Sequence, residues 1–188
     1  MDKENRRNNI QTGTTIVGIV CKDGIVMAGD NRLSLGQSLV IGKDYEKVYP
    51  INDYLVYAGC GSATESQKIS KLLAAELKLK HLKSKKRPTV RQAASLLSNI
   101  QATESAFILA GFDENGEAFL YEITGGLLRQ MSEYTASVGS GLMYVLGYLE
   151  RQWKPDLSIE EGVKLAIESI KSSSARDMAT GNGVDIYT

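Results

Sequence analysis

Apolar and polar positions change rhythm several times along this chain of 188 residues. Residues 1–13 hold one isolated Ile10 and no periodicity, which predicts a flexible tail, with order beginning abruptly at Thr14. Thr14–Cys21 is dense in β-branched residues, Lys22-Asp23-Gly24 supplies a turn, and Ile25–Ala28 returns as a second strand. Strands near Glu46–Pro50 and Tyr54–Ala58 are joined at Asn52-Asp53. A helical rhythm then takes over. Ser62-Ala63-Thr64-Glu65 has capping-box spacing, and Ile69, Leu72, Leu73 and Leu77 predict one buried stripe behind it. Pro88-Thr89-Val90-Arg91-Gln92 opens a second helix through Ala93, Ala94, Leu96 and Leu97.

Strand patterning resumes at Ala106–Phe112 and Ala118–Ile123, which flank the hairpin signal Asn115-Gly116. A turn at Gly125-Gly126 leads to strands at Leu127–Met131 and Thr135–Val138. One helix is expected from about Leu142 to Trp153. Another is capped by Ser158 and Glu161, with Val163, Ala166, Ile167 and Ile170 inward; Val184–Tyr187 reads as a final strand. Separate runs of strands and helices favour α+β layers over alternating βαβ units. Two antiparallel sheets between two helical layers would bury every apolar face, and the length suits one domain.

Composition narrows the function. At 43% apolar and 23% charged the chain is globular, and its zero net charge gives no global field for nucleic acid. The basic run Lys78, Lys80, Lys83, Lys85, Lys86 and Arg87 reads first as a solvated helix end and second as a nucleic-acid patch. Cys21 and Cys60 lie far apart and form no CxxC, so buried free thiols in a reducing compartment are expected, with a single disulfide left open. No apolar run approaches the roughly 18 residues of a membrane span, and residues 1–13 have no signal-peptide core. A cytoplasmic location follows as the expectation.

The single histidine, His81, sits among lysines in an expected exposed turn. A metal site with several His ligands is therefore excluded, and a Ser-His-Asp or Cys-His arrangement would have to recruit that one residue. No GxxxxGK[ST] phosphate loop occurs, and no cofactor or metal is called for. Hydrolytic chemistry would need another base. A chain-terminal threonine supplies its own, because a free α-amine titrates near pH 8 and can take the hydroxyl proton. Thr14 is internal as encoded, but Gly13 before it has no side chain, so its carbonyl is open to attack by the Thr14 hydroxyl. A buried lysine beside the amine would lower its pKa, and an aspartate would hold that lysine. Asp30 and Lys47 stand at expected strand ends; singly, each reads equally as a solvent-facing charge.

Several segments in order resemble the β-subunits of archaeal-type 20S proteasomes. They are Gly13-Thr14-Thr15-Ile16-Val17-Gly18-Ile19, Val26-Met27-Ala28-Gly29-Asp30-Asn31-Arg32, Glu46-Lys47-Val48-Tyr49, Ala58-Gly59, Leu96–Ile100, Val138–Gly141 and Arg176–Gly183. The resemblance implies a four-layer αββα sandwich of the N-terminal nucleophile hydrolase type and a threonine endopeptidase. Residues 1–13 would be a propeptide, cut autocatalytically between Gly13 and Thr14 to leave a 14–188 protease domain. Thr14 would be nucleophile and base, Lys47 the cation beside it and Asp30 its partner. Ser140, Asp177 and Thr180 would support the amine by hydrogen bonds, and the Gly59 N–H would form the oxyanion hole. The peptide would add as a strand near Ser34 and Gly59–Gly61. Leu33, Tyr49 and Tyr57 would line an apolar-preferring pocket, although Tyr57 reads equally as a core residue.

The same resemblance implies partners: heptameric β-rings stacked in pairs, α-subunit rings, an AAA-type ATPase and unfolded polypeptide substrates. Two departures stand out, a short stretch between Ile100 and Ala106 and an end at Thr188 before the family's usual C-terminal segment. A structural ring subunit without catalysis and the bacterial two-component threonine peptidase of the same superfamily are the alternative readings.

Overall fold

The computed structural model describes residues 11–35, 38–102, 104–136 and 139–188. The first strand, β1 (Gln11–Thr12), lies inside the segment expected to be a tail and pairs antiparallel with Ser62 and Gly61. The rest of that segment, residues 1–10, lies outside the described residues. Next come β2 (Ile16–Cys21) and β3 (Gly24–Asp30), the first expected hairpin, in register from Ile16–Gly29 to Cys21–Gly24. An unexpected small hairpin follows, β4 (Leu33–Leu35) with β5 (Leu39–Gly42). β6 (Val48–Asn52) and β7 (Leu55–Ser62) complete the strands before the helices.

Helices α1 (Ala63–Ser84) and α2 (Val90–Asn99) begin where their caps predict, Ser62 accepting from Glu65 N and Thr89 forming a full capping box with Gln92. Lys85, left-handed at φ 58°, ends α1, and its N–H returns to the His81 carbonyl. The basic run is an exposed helix end except for Arg87, which stacks over the Tyr54 ring at 3.6 Å. β8 (Ser105–Phe112), β9 (Ala118–Thr124) and β10 (Leu127–Met131) form a meander whose tight turns carry Gly116 and Gly125-Gly126 at positive φ. β11 (Tyr134–Ala136) holds the described part of the strand expected at Thr135–Val138, and positions 137–138 lie outside the described residues. Last come α3 (Leu142–Gln152), α4 (Ile159–Ser174) and β12 (Val184–Tyr187).

The strands form a six-stranded sheet, β1-β7-β8-β9-β10 with β6 also on β7, and a four-stranded sheet, β11-β2-β3-β12. Both are antiparallel. Three cores separate four layers. Leu73, Leu77, Leu97, Phe107 and Leu109 fill the space between α1/α2 and the larger sheet. Ile16, Met27, Val48 and Ile108 fill the space between the sheets, and Val17, Ile19, Val145, Leu149 and Ile170 lie under α3/α4. The α+β sandwich of two antiparallel sheets flanked by helices stands as expected.

Two details differ. Leu72 is 41% exposed while Ile69, Leu73 and Leu77 are buried. At 100° per residue, Leu72 points about 140° from Leu77 and cannot share its stripe. On α4 the buried positions are Gly162, Leu165, Ala166, Ser169, Ile170 and Ser173, a face rotated from the expected one. Gly162 lies against Cys21 and Val26, so close approach selects that face rather than hydrophobicity alone. Both cysteines are buried and neither forms a disulfide. Among the described residues no helix is long and apolar enough to cross a membrane.

Leu97 is fully buried. Leu97→Ala is therefore expected to lower unfolding free energy by about 2–5 kcal/mol, whereas Leu72→Ala should stay within about 0.5 kcal/mol, both read by urea unfolding.

Candidate active site

The chain crosses from the larger sheet to the smaller one between β1 and β2, and Gly13, Thr14 and Thr15 make that crossing. Strands from both sheets therefore end around one peptide bond. Gly13 N–H donates to Ser34 Oγ (3.2 Å), the Gly13 carbonyl accepts from Lys47 Nζ (2.9 Å), and Thr14 N–H donates to Ser140 Oγ (3.2 Å). Thr14 is 1% exposed. A Cβ added to Gly13 would lie 1.7 Å from Ala179 Cβ, so only glycine fits before Thr14 in this state. The Gly13 assignment thus acquires a steric cause that was invisible in the sequence.

Asp30 closes β3 and Lys47 directly precedes β6; their charges meet at 2.7 Å with both side chains almost completely buried. Asp30 is not a strand-end charge in solvent. Burial of two ions is unfavourable unless their remaining hydrogen-bonding capacity is met. Here Oδ1 takes Lys47 Nζ and Thr15 N–H (2.8 Å), while Oδ2 takes Arg32 N–H (3.1 Å) and Gly181 N–H (3.0 Å). Burial pushes the Lys47 ammonium below its ordinary value of 10.5, against the attraction of Asp30, which favours the proton.

On the other side of Thr14, Ser140 Oγ donates to Asp177 Oδ2 (2.5 Å), and Thr180 Oγ1 donates to the same oxygen (2.5 Å). Asp177 follows the end of α4, where its N–H donates to the Ser173 carbonyl, and Oδ1 takes Ala179 N–H (3.1 Å). Arg32 secures this loop, donating from Nη1 to the Met178 carbonyl and from Nε to Asn182 Oδ1, each at 2.7 Å. Arg32 stood in a motif without a role; its neighbour Asp30 was the only signal for it.

The peptide-binding positions divide. Ser34 faces Gly13, and Gly61, at φ 103°, faces Thr12 of β1. An added Cβ on Gly61 would meet the Glu104 carbonyl at 2.0 Å. Leu33 is half-buried and packs on Gly42. Tyr57 is fully buried in the helix-facing core, its ring 5.4 Å from Phe107 and 6.2 Å from half-buried Tyr49, its hydroxyl 3.0 Å from Ser66 Oγ. Of its two readings, the core one describes where it lies. Gly59 N–H turns to the same edge as β1 but donates to the Lys47 carbonyl (3.2 Å), so in this state it is already engaged. Sequence reasoning missed Thr15 and Ser173, whose buried hydroxyls join Thr180.

The assembly can hold a carbonyl against an ammonium beside a hydroxyl-bearing residue, with the Ser140 hydroxyl accepting from the following N–H. That is an arrangement for acyl transfer. Among the described residues no group of three His, Cys, Asp or Glu could hold a metal ion.

The family model described as "Proteasome subunit" matches residues 10–188. The chain is 40% identical to proteasome subunit beta 1 of Thermococcus onnurineus over 182 residues, which are 94% of this chain and 88% of that one. It is 38% identical to the proteasome subunit beta of Nanoarchaeum equitans, with 93% and 92% covered. Against the proteasome subunit beta of Methanocaldococcus jannaschii the identity is 37%, with 95% and 82% covered.

Two outcomes follow from the buried pair. Asp30→Asn keeps the shape but puts an amide N–H₂ where N–H donors and an ammonium converge, and should cost about 3–5 kcal/mol in urea unfolding. A lysine depressed on folding binds fewer protons in the folded than in the unfolded state, between its folded value and 10.5. Folding stability relative to Lys47→Met should therefore rise as pH rises through that window, measured as the difference between the two unfolding curves.

Proposed function

Because the chain belongs to the proteasome subunit family, we propose that it is a catalytic β-type subunit, a threonine endopeptidase that first cleaves itself between Gly13 and Thr14. The observation that carries this reading is the contact of Lys47 Nζ with the Gly13 carbonyl, 2.9 Å, at a peptide bond followed by Thr14. A non-catalytic ring subunit has no need of a buried ammonium aimed at one backbone carbonyl beside a threonine.

The steps follow from the groups present. In self-cleavage the Thr14 hydroxyl attacks the Gly13 carbonyl carbon, its proton passing to the Thr14 nitrogen that becomes the leaving amine, and Lys47 stabilises the negative charge that develops on the carbonyl oxygen. Collapse breaks the Gly13–Thr14 C–N bond and leaves the Gly13 acyl group on the Thr14 oxygen. Water then hydrolyses that ester, releasing residues 1–13 and a free Thr14 amine. In turnover the amine takes the Thr14 hydroxyl proton, the oxygen attacks a peptide carbonyl, and the protonated amine returns its proton to the leaving nitrogen. Water, giving a proton to the amine, then hydrolyses the resulting ester, and that proton returns to the Thr14 oxygen as the second product leaves. Asp30 keeps Lys47 charged and aimed, while Ser140, Asp177 and Thr180 orient the amine. The Gly59 N–H joins oxyanion stabilisation once released from the Lys47 carbonyl. Unfolded polypeptide adds as a strand along β7 where β1 lies, by Ser34 and Gly61. Leu33 and Tyr49 would contact the residue before the cut and favour apolar side chains.

The same family reading makes the working form a pair of stacked heptameric β-rings between α-rings, fed by an AAA-type ATPase in the cytoplasm. Confinement of this kind makes an unselective peptidase safe.

Thr14→Ala is the direct test, with the β-chain co-assembled with its α-type subunits. Intact mass should show residues 1–13 lost from wild type and retained in the variant, and fluorogenic peptide cleavage should fall to background in Thr14→Ala. Normal processing of Thr14→Ala would overturn the assignment, and wild type persisting at full mass would favour a structural subunit. Acidic, basic and apolar peptides turned over equally would overturn the apolar preference.

A further inference from the structure

We infer that Thr15 and Ser173 are positioning residues for the Thr14 amine, acting by fixing the direction of the hydrogen bonds that converge on Asp177; the inference rests on the peptidase reading above. Thr15, Ser173 and Thr180 are 2%, 0% and 0% exposed and place three hydroxyls in one buried cluster. Thr15 Oγ1 lies 2.7 Å from Thr180 Oγ1 and 3.1 Å from Ser173 Oγ, and Ser173 Oγ reaches Thr180 Oγ1 at 3.4 Å. The roof is backbone: a Cβ added to Gly141 would lie 1.9 Å from Thr15 Oγ1 and 2.1 Å from Ser173 Oγ.

Each hydroxyl carries one proton, and an ionised carboxylate only accepts. Asp177 Oδ2 takes the protons of both Ser140 and Thr180. With its proton committed, Thr180 can only accept from Thr15. Thr15 is then spent and accepts from Ser173. The chain therefore has one polarity, Ser173 to Thr15 to Thr180 to Asp177, meeting Ser140 from the opposite side. Ser140, its own proton given to Asp177, can only accept from Thr14 N.

That last step has a catalytic consequence. If Ser140 donated to the released amine, it would occupy the lone pair that must take the Thr14 hydroxyl proton. Held as an acceptor, it removes one N–H from play and leaves the lone pair free. Thr15 donates to the Thr180 oxygen, and Ser173 donates to Thr15 and, at 3.4 Å, to Thr180, so the two hold that oxygen in place and keep its hydroxyl aimed at Asp177. Buried hydroxyl chains strengthen one another in this way and lose more than one bond when a member is removed.

The test uses co-assembled particles and fluorogenic peptide over a range of concentrations. Thr15→Val keeps the shape and removes the hydroxyl; kcat should fall about tenfold with KM within about twofold of wild type. Thr15→Ser should restore kcat to within about twofold of wild type, and Ser173→Ala should lower it about threefold. Unchanged kcat in both Thr15→Val and Ser173→Ala would overturn the inference. So would a loss carried by KM, or Thr15→Ser as slow as Thr15→Val, which would mark packing rather than the proton as the cause. Should Thr15→Val fail to assemble, Ser173→Ala on the intact α4 decides alone. Wild-type particles without turnover would instead overturn the peptidase reading, and this inference with it.

Discussion

Everything around Thr14 hangs on one carboxylate. Asp30 is the last residue of β3, and its two oxygens bind four groups from separate parts of the chain. Thr15 N–H fixes the start of β2, Gly181 N–H fixes the loop beyond α4, Arg32 N–H fixes the turn out of β3, and Lys47 comes from the edge of the other sheet. A buried anion must be satisfied or it destabilises the fold, so each of these groups has a single acceptable place. The ion pair is therefore the joint between the two sheets, and Thr14 sits at the joint. Lys47 spans it, donating to Asp30 on one side and to the Gly13 carbonyl on the other.

A second polar centre, Asp177, faces the first across Thr14. The two differ in kind. Asp30 gathers mainly backbone N–H groups and one cation, so its partners have fixed directions. Asp177 gathers hydroxyls, whose protons can rotate, and direction there has to be imposed by a chain of neighbours. The buried hydroxyl cluster beneath α4 completes the second centre.

Much of the fold was legible because it obeys local rules. Capping signals at Ser62, Thr89 and Ser158 and the turn at Asn115-Gly116 sit where the elements begin and turn. β1 was not legible, since two residues have no period and their partner is about fifty positions away. The hairpin of Leu33–Leu35 and Leu39–Gly42 was hidden because Leu35, Leu39, Val40 and Ile41 all remain exposed, so no apolar–polar alternation marks it. Within the site, residue types and order pointed to Thr14, Asp30 and Lys47, but their meeting depends on register between strands, which spacing cannot supply. Thr15 and Ser173 carried no signal at all, because a serine facing inward from a helix reads like one facing out.

The shortest strand has the longest reach. β6 covers the edge of β7 as far as Ala58, and β1 covers it again at Gly61 and Ser62. Removing residues 1–13 would strip the second cover and leave a short row of unpaired N–H and C=O groups, the same kind of edge that drives proteins to stick to one another. On the proposed reading, the cut that would arm Thr14 is also the one that would make the surface adhesive to any extended chain. A folding monomer that matured early would carry both hazards into open solution. If the proposed cleavage occurs, keeping the first residues in place until a closed compartment surrounds that edge would shield both the rest of the cell and the subunit itself.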